Sequence, residues 1–481
     1  MTARILLRDI YHLVIGDAAH TRERGVDLLV VDGRVADIGR GLPAGDAEVI
    51  DCSTKLVMPG LVNSHHHMCQ TLQRNIRAVQ SAELFDWLVG LYPIWAHIDE
   101  AVVRVSTTLA CAELLLTGCT TTSDHHYVHP RGVSVDLIET QLRAAEAIGM
   151  RFLATRGSMS VGKSGGGLPP DSVVQDDDTI LAASERLIKR HHDDDPFALR
   201  RVALAPCSPF SISPELMKRT AELARAHGVR LHTHLAETRD EERYCLEHYG
   251  CRPLELMARV DWLGDDVWYA HGIFFDDDEL ARMADTGTGV AHCPSSNMRL
   301  GSGFCRVHEM RERGVPVGLA VDGSASNDAS NMIGELRSCL LLNRVRRCAQ
   351  HEHHAVAAGA AGSDDNTLPM IDPDTVLELA TRGSARLLGW DTVGSLEKGK
   401  AADIAIVEMN RLDYAGATND PLAAIMFCGA SQRVDTTIVG GRIVVRGGKL
   451  LTVDEQALID EANALSKAML EAEQHDVSWN L

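Results

Sequence analysis

Three consecutive histidines, His65, His66 and His67, close the apolar run KLVMPGLVNS. Side chains alternate faces along an extended strand, so His65 and His67 point one way and His66 the other. Two imidazoles on one face can share a divalent ion, although an H-x-H pair alone fits a hydrogen-bonded strand end equally well. Further along, HTHLAET puts His234 near the end of a second apolar segment, with Glu237 three residues later. His232 shares a face with His234 one pleat deeper and is expected to be a buried core histidine. DVWYAH ends in His271, TGVAH in His292 and VPVGLAVD in Asp322. Imidazoles plus a carboxylate are the donor set of a transition-metal ion that activates water for hydrolysis.

Such residues need strands that end in one place. Eight short apolar segments alternate with stretches of helical texture, the βαβ signature of a parallel sheet. They are LVMPGLVNSHHH, GCTTTSDHH, MRFLATRGS, RVALAPCSPF, VRLHTHLAET, DVWYAHGIFF, TGVAHCPSS and VPVGLAVDGSAS. Eight units over 58–390 predict an α/β fold, a closed TIM-like (β/α)8 barrel with its active site at the C-terminal strand ends. The histidines of the first, fifth and sixth strands and Asp322 of the eighth stand at those ends and are expected to converge near the axis. Residues 1–57 and 391–450 alternate apolar runs with Gly, Asp and Lys-Gly turns, and are expected to pair as one small β-sandwich domain. Residues 451–481 read as a C-terminal helix and tail, from Leu and Ala at helical spacing. Residues 157–178 carry a glycine run, two prolines and an acid run, and are expected to form either a lid or a plain surface loop at the mouth. His351, His353 and His354 lie in a low-complexity stretch where no metal role is expected.

Composition narrows the class. The chain has 481 residues, 45% hydrophobic and 24% charged, enough to bury a large core. Its net charge of −20 repels phosphate backbones and anionic membranes, so neither nucleic acid nor membrane is expected as a partner. There is no uncharged apolar run of about 18 residues and no cleavable leader at the start, so a cytoplasmic location is expected. Twelve scattered cysteines without a C-x-x-C pair are expected to be reduced, buried thiols.

The motifs PGLVNSHHH, HTHLAET, AHG, HCPSSNMRLGSG and GLAVDGSASND, in this order, resemble those of the amidohydrolase superfamily over essentially the whole chain. HHHMCQTLQR, TTTSDHHY, APCSPF and SNMRLGSG are most similar to its 8-oxoguanine deaminase-like branch, with relatives acting on guanine, isoxanthopterin and hydroxytriazines. The resemblance implies His65, His67, His234 and Asp322 as ligands of one divalent ion, Zn2+ or alternatively Fe2+. It implies Glu237, His271 and Asp322 as catalytic groups. Two-metal members use a carboxylated lysine at the end of the fourth strand, and no lysine lies between Lys189 and Lys218 here. In the implied reaction Asp322 takes a proton from water acidified by the ion, and Glu237 protonates a ring nitrogen beside the amino-bearing carbon. His271 holds the oxyanion or shuttles protons, and ammonia leaves.

Substrate choice falls to the loops. By the same similarity Gln70 offers a paired donor and acceptor to a purine edge, Ser208 and Phe210 lie where a ring can be bonded or stacked, and Asn297 stands on a pocket-lining loop. Trp95 is expected to be core, and only one of His125 and His126 should face inward. Guanine deaminases carry an arginine before this phenylalanine; Pro209 precedes Phe210 here and points away from plain guanine. The expected partners are a small heterocyclic substrate and further copies of the chain in a homo-oligomer. S-adenosylhomocysteine is the bulkier alternative substrate. An inactive barrel serving as a binding scaffold is the alternative class, and the complete ligand set argues against it.

Overall fold

The computed structural model describes residues 4–358, 369–429 and 433–474, with backbone alone over 348–358. His351, His353 and His354 therefore lie outside the described side chains, and 475–481 of the expected tail lie outside the described residues.

Eight parallel strands form one sheet in sequence order: β1 (Leu61–Asn63), β2 (Cys119–His126), β3 (Arg151–Ser158), β4 (Arg200–Pro206), β5 (Leu231–Leu235), β6 (Val267–His271), β7 (Gly289–His292) and β8 (Val317–Leu319). The circle closes through Ser64, whose N–H and hydroxyl both donate to the Leu319 carbonyl, and through Val321 N–H donating to Asn63 Oδ1 at 2.9 Å. Strands β2 and β3 are buried along their whole length, as expected of parallel strands covered by helices. The helices begin where the sequence supplies caps. Ser213 accepts from Leu216 N–H ahead of Pro214, and Asp276 forms a capping box with Glu279.

Two further sheets join the chain's ends. Lys55–Pro59 pairs antiparallel with Ile404–Glu408 inside a seven-stranded sheet, and Arg4–Ile10 sits inside a four-stranded one. Leu7, Ile10, Leu28, Val57, Ile404 and Ile438 fill the space between them, forming a sandwich core separate from that of the barrel. Arg151 at the start of β3 grips Asp403 with Nε and Nη2, each at 3.0 Å, and ties barrel to sandwich. The helix Glu455–Ala472 buries Leu458, Ala462 and Met469, and its Ser466 hydroxyl donates to the Leu72 carbonyl beside the first metal-strand segment. The 157–178 loop is pinned by Ser160 and Val161 N–H on the Ser211 carbonyl.

Candidate active site

His65 and His67 lie just past the end of β1, His234 within β5, and Asp322 in the segment after β8. Each histidine has its tautomer set by a fixed acceptor. His67 donates Nδ1–H to the His125 carbonyl at 2.8 Å, and His234 donates Nδ1–H to the Cys207 carbonyl at 2.7 Å. His232 donates Nδ1–H to the Trp268 carbonyl at 2.9 Å, so its Nε2 must accept, and it accepts the His65 Nδ1–H at 2.7 Å. All three rings thus carry their lone pair on Nε2. Burial drives the His65 and His234 imidazoles well below their usual pKa, which keeps them neutral.

These lone pairs converge. His67 Nε2 is 3.0 Å from His234 Nε2, and Asp322 Oδ1 is 3.3 Å from Nε2 of both His65 and His67. With no proton between them, such acceptors repel in a dry interior. Tetrahedral coordination with bonds of about 2.0–2.1 Å places ligand atoms about 3.3 Å apart, so these residues fit one small divalent cation. Strand β4 supplies no lysine here; the Cys207 carbonyl just past its end steadies His234. His66 faces away and bonds Ser330 Oγ at 2.9 Å, as strand alternation requires. His125 faces the cluster, stacked on His234 at 4.8 Å between ring centroids, while His126 packs against His129.

Across the cavity stand the two proton-handling candidates. Burial pushes the Glu237 carboxyl up to about 7; neighbouring His271 pulls it down and Asp322 pushes it further up. His271 Nε2 lies 3.5 Å from Glu237 Oε2 and 3.9 Å from Asp322 Oδ2. Burial opposes its protonation, but the two carboxylates and the bond to Asn297 outweigh this and raise its pKa. Burial also opposes ionisation of Asp322, yet the surrounding imidazoles, His271 foremost, hold it well below the usual carboxylate range. The two carboxylates are therefore pulled apart, one favouring a bound proton and the other the charge. Ala236, His271 and Asp322 all adopt left-handed backbone, with φ of 54°, 72° and 65°. For non-glycine residues this is uncommon and concentrates at functional turns.

A cleft open to solvent is lined by His67, Gln70, His234, Glu237, His271 and Asp322 together with an apolar wall. Phe210 lines it, its ring 5.0 Å from Phe85. Gln70 lines it with a buried, unpartnered Oε1, and a side chain at Gly323 would collide with that oxygen. Two of the residues expected at the substrate stand back from the cavity instead. Ser208 Oγ is engaged with Ser211 Oγ at 2.8 Å, and Asn297 Oδ1 accepts the His271 Nδ1–H at 3.0 Å. Trp95 is fully buried in a cluster with Trp87 and Tyr92. The wall holds residues that motif reading passed over: Leu84, Trp87 and Leu88, together with Tyr127, Leu300 and Ser326. The first three occupy i, i+3 and i+4 of the helix Leu84–Trp95, and that spacing was their signal in the sequence. Cys69 and Cys207, which adjoin the motifs, are buried thiols with raised pKa, Cys207 to about 12.

The chain matches the Amidohydrolase family over residues 56–444. It is 47% identical over 446 residues to an 8-oxoguanine deaminase of Pseudomonas aeruginosa, covering 92% of this chain and 94% of that protein. It is 37% identical to an isoxanthopterin deaminase from an unknown prokaryotic organism, over 94% of this chain and 93% of the other. The fold superposes on an atrazine chlorohydrolase from Arthrobacter aurescens complexed with zinc, with TM-score 0.89 and 30% identity, over 96% of this chain and all of that one. A family match across most of the chain, whole-length relatives and a barrel mouth holding three Nε2 lone pairs and a carboxylate agree: the chain belongs to the amidohydrolase family.

Proposed function

We propose that this protein is a metal-dependent hydrolytic deaminase of an oxidised amino-heteroaromatic ring, converting 8-oxoguanine and water to urate and ammonia. The observation that carries the reading is the convergence of His65, His67 and His234 Nε2 with Asp322 Oδ1, faced by a buried Glu237 and His271 across one cavity. Zinc is the ion we assign, by likeness to the zinc-bound relative, and when bound it supplies the Lewis acidity that lowers the pKa of water. Asp322, ionised, accepts the proton that the attacking water loses. Glu237, raised to about 7 by burial and so partly protonated in neutral solution, donates to the ring nitrogen beside the amino-bearing carbon and makes that carbon electrophilic. His271, held by Asn297, stabilises the oxyanion as it develops. Asp322 returns its proton to the amino group, which leaves as ammonia; as the carbonyl forms, the adduct's hydroxyl proton passes to Glu237 and restores its acid form.

Trp87 and Phe210 give the ring flat apolar walls, and Gln70 offers its free carbonyl oxygen to a ring N–H. In this reading residues 58–390 form the catalytic barrel and 1–57 with 391–450 the supporting sandwich. The 47% identity to an 8-oxoguanine deaminase favours that ring over isoxanthopterin, guanine, hydroxytriazines and S-adenosylhomocysteine. The test is ammonia release from metal-analysed protein given all five in parallel. We expect one equivalent of metal and a kcat/KM for 8-oxoguanine well above the rest; a metal-loaded protein inert on every ring would overturn the assignment.

A further inference from the structure

We propose that Glu241 is a positioning residue, a latch that fixes the aim of Glu237. Its side chain is 1% exposed and lies in the first turn of the helix Arg239–Tyr249. Oε1 accepts the Ala236 N–H and Oε2 the Glu237 N–H, each at 2.9 Å. Ala236 holds its left-handed φ of 54° between these bonds and two more on its other side, where its carbonyl accepts the N–H of Ile273 and Phe274, both at 2.9 Å. Strained backbone of this kind persists only where the surroundings over-determine it. The second pair of bonds runs to the segment directly after His271, so the turns carrying the two proton-handling groups are interlocked. A carboxylate suits the latch because it has an acceptor oxygen for each of two successive N–H groups, whereas an amide has one oxygen and turns a donor toward the other. Released, the 236–237 peptide can rotate and swing the Glu237 carboxyl away from the substrate, and proton transfer is steeply sensitive to such misplacement.

The proposal rests on Glu237 as the acid, and the experiment separates the two. In Glu241→Gln we expect kcat to fall roughly 10- to 100-fold, KM to stay within about twofold and metal content to be unchanged. Added to Glu237→Gln, the same change should cost nothing further, because the latch acts only through Glu237. Unchanged kcat in Glu241→Gln, or losses that multiply in the double variant, would overturn it. Amide exchange at Ala236 and Glu237 reads the latch without any substrate. It should quicken at least about tenfold in Glu241→Gln even if the wild type deaminates none of the rings, and unaltered exchange would count against the latch. If Glu241→Gln does not fold, Glu241→Asp, which keeps both carboxyl oxygens on a stem shorter by one methylene, should give the same split between kcat and KM.

Discussion

Burial does most of the chemical tuning of single side chains in this site. Glu237 is pushed up to about 7 by desolvation, so the form that can donate a proton dominates below that pH and is lost as pH rises through it. We therefore expect kcat/KM to decline on the alkaline side of about 7, a limb that a pH–rate profile would show. Glu237→Gln should keep its metal and lose about 10^2- to 10^4-fold in kcat, the usual weight of one general acid. Retained activity would remove Glu237 from that role. His232 acts at one remove. It accepts the His65 Nδ1–H, so His232→Phe, which offers no acceptor, should weaken metal binding about 10- to 100-fold in a chelator competition. Undiminished affinity would make His232 the plain core residue that its place in the sequence suggests.

At the scale of elements, the catalytic groups ride on strand ends whose following loops are bonded to one another. Glu335, in the first turn of the helix Met332–Ala358, shows how. Its Oε1 accepts from Asn327 Nδ2 at 3.0 Å in the short helix Ser324–Asn327 after β8, and its Oε2 from Ser295 N–H at 3.3 Å in the helix Pro294–Arg299 after β7. Burial pushes its carboxyl from 4.5 up to about 8. Between those values the folded chain holds a proton that the unfolded chain has released, so stability declines as pH rises across the window. Glu335→Gln removes this contribution. Its Tm should change less than that of the wild type between pH 5 and pH 8, as calorimetry across that range would show; parallel profiles would place the proton elsewhere. Asp124, raised to about 7 by burial, acts in the same direction and remains in both proteins.

Across the whole molecule, the barrel floor and the terminal sandwich are joined by a buried ion pair. Asp403 accepts from Arg151 Nε and Nη2 and from Gly440 N–H at 2.6 Å, and both charged side chains are about 1% exposed. Removing one partner strands the other charge, so Asp403→Ala should cost about 3–5 kcal/mol in denaturant unfolding. A loss below about 1 kcal/mol would mean that the guanidinium relaxes to water or to the Phe197 carbonyl it already contacts. Among the described residues, no helix is long and apolar enough to cross a membrane.

The sequence by itself determined the barrel, because eight apolar segments separated by helices admit few parallel closures, and it showed imidazoles and a carboxylate recurring at strand ends, from which the family resemblance singled out a donor set. Alternation alone was enough to turn His66 away from His65 and His67. The finer positions depended on contacts between residues far apart in the chain. Nothing local distinguishes His232 as a partner of His65, 167 residues away, from a histidine that merely fills space. Asn297 carried the right chemistry after the right strand, yet it sits on the helix Pro294–Arg299 rather than a loop and its amide reaches His271 rather than the cavity. The raised carboxyls of Glu237 and Glu335 arise from dehydration by the assembled barrel, and a pattern of residue types carries no measure of that. Sequence periodicity specifies which face a residue takes within its own element; only the packed structure decides which partner it meets and how much water is left around it.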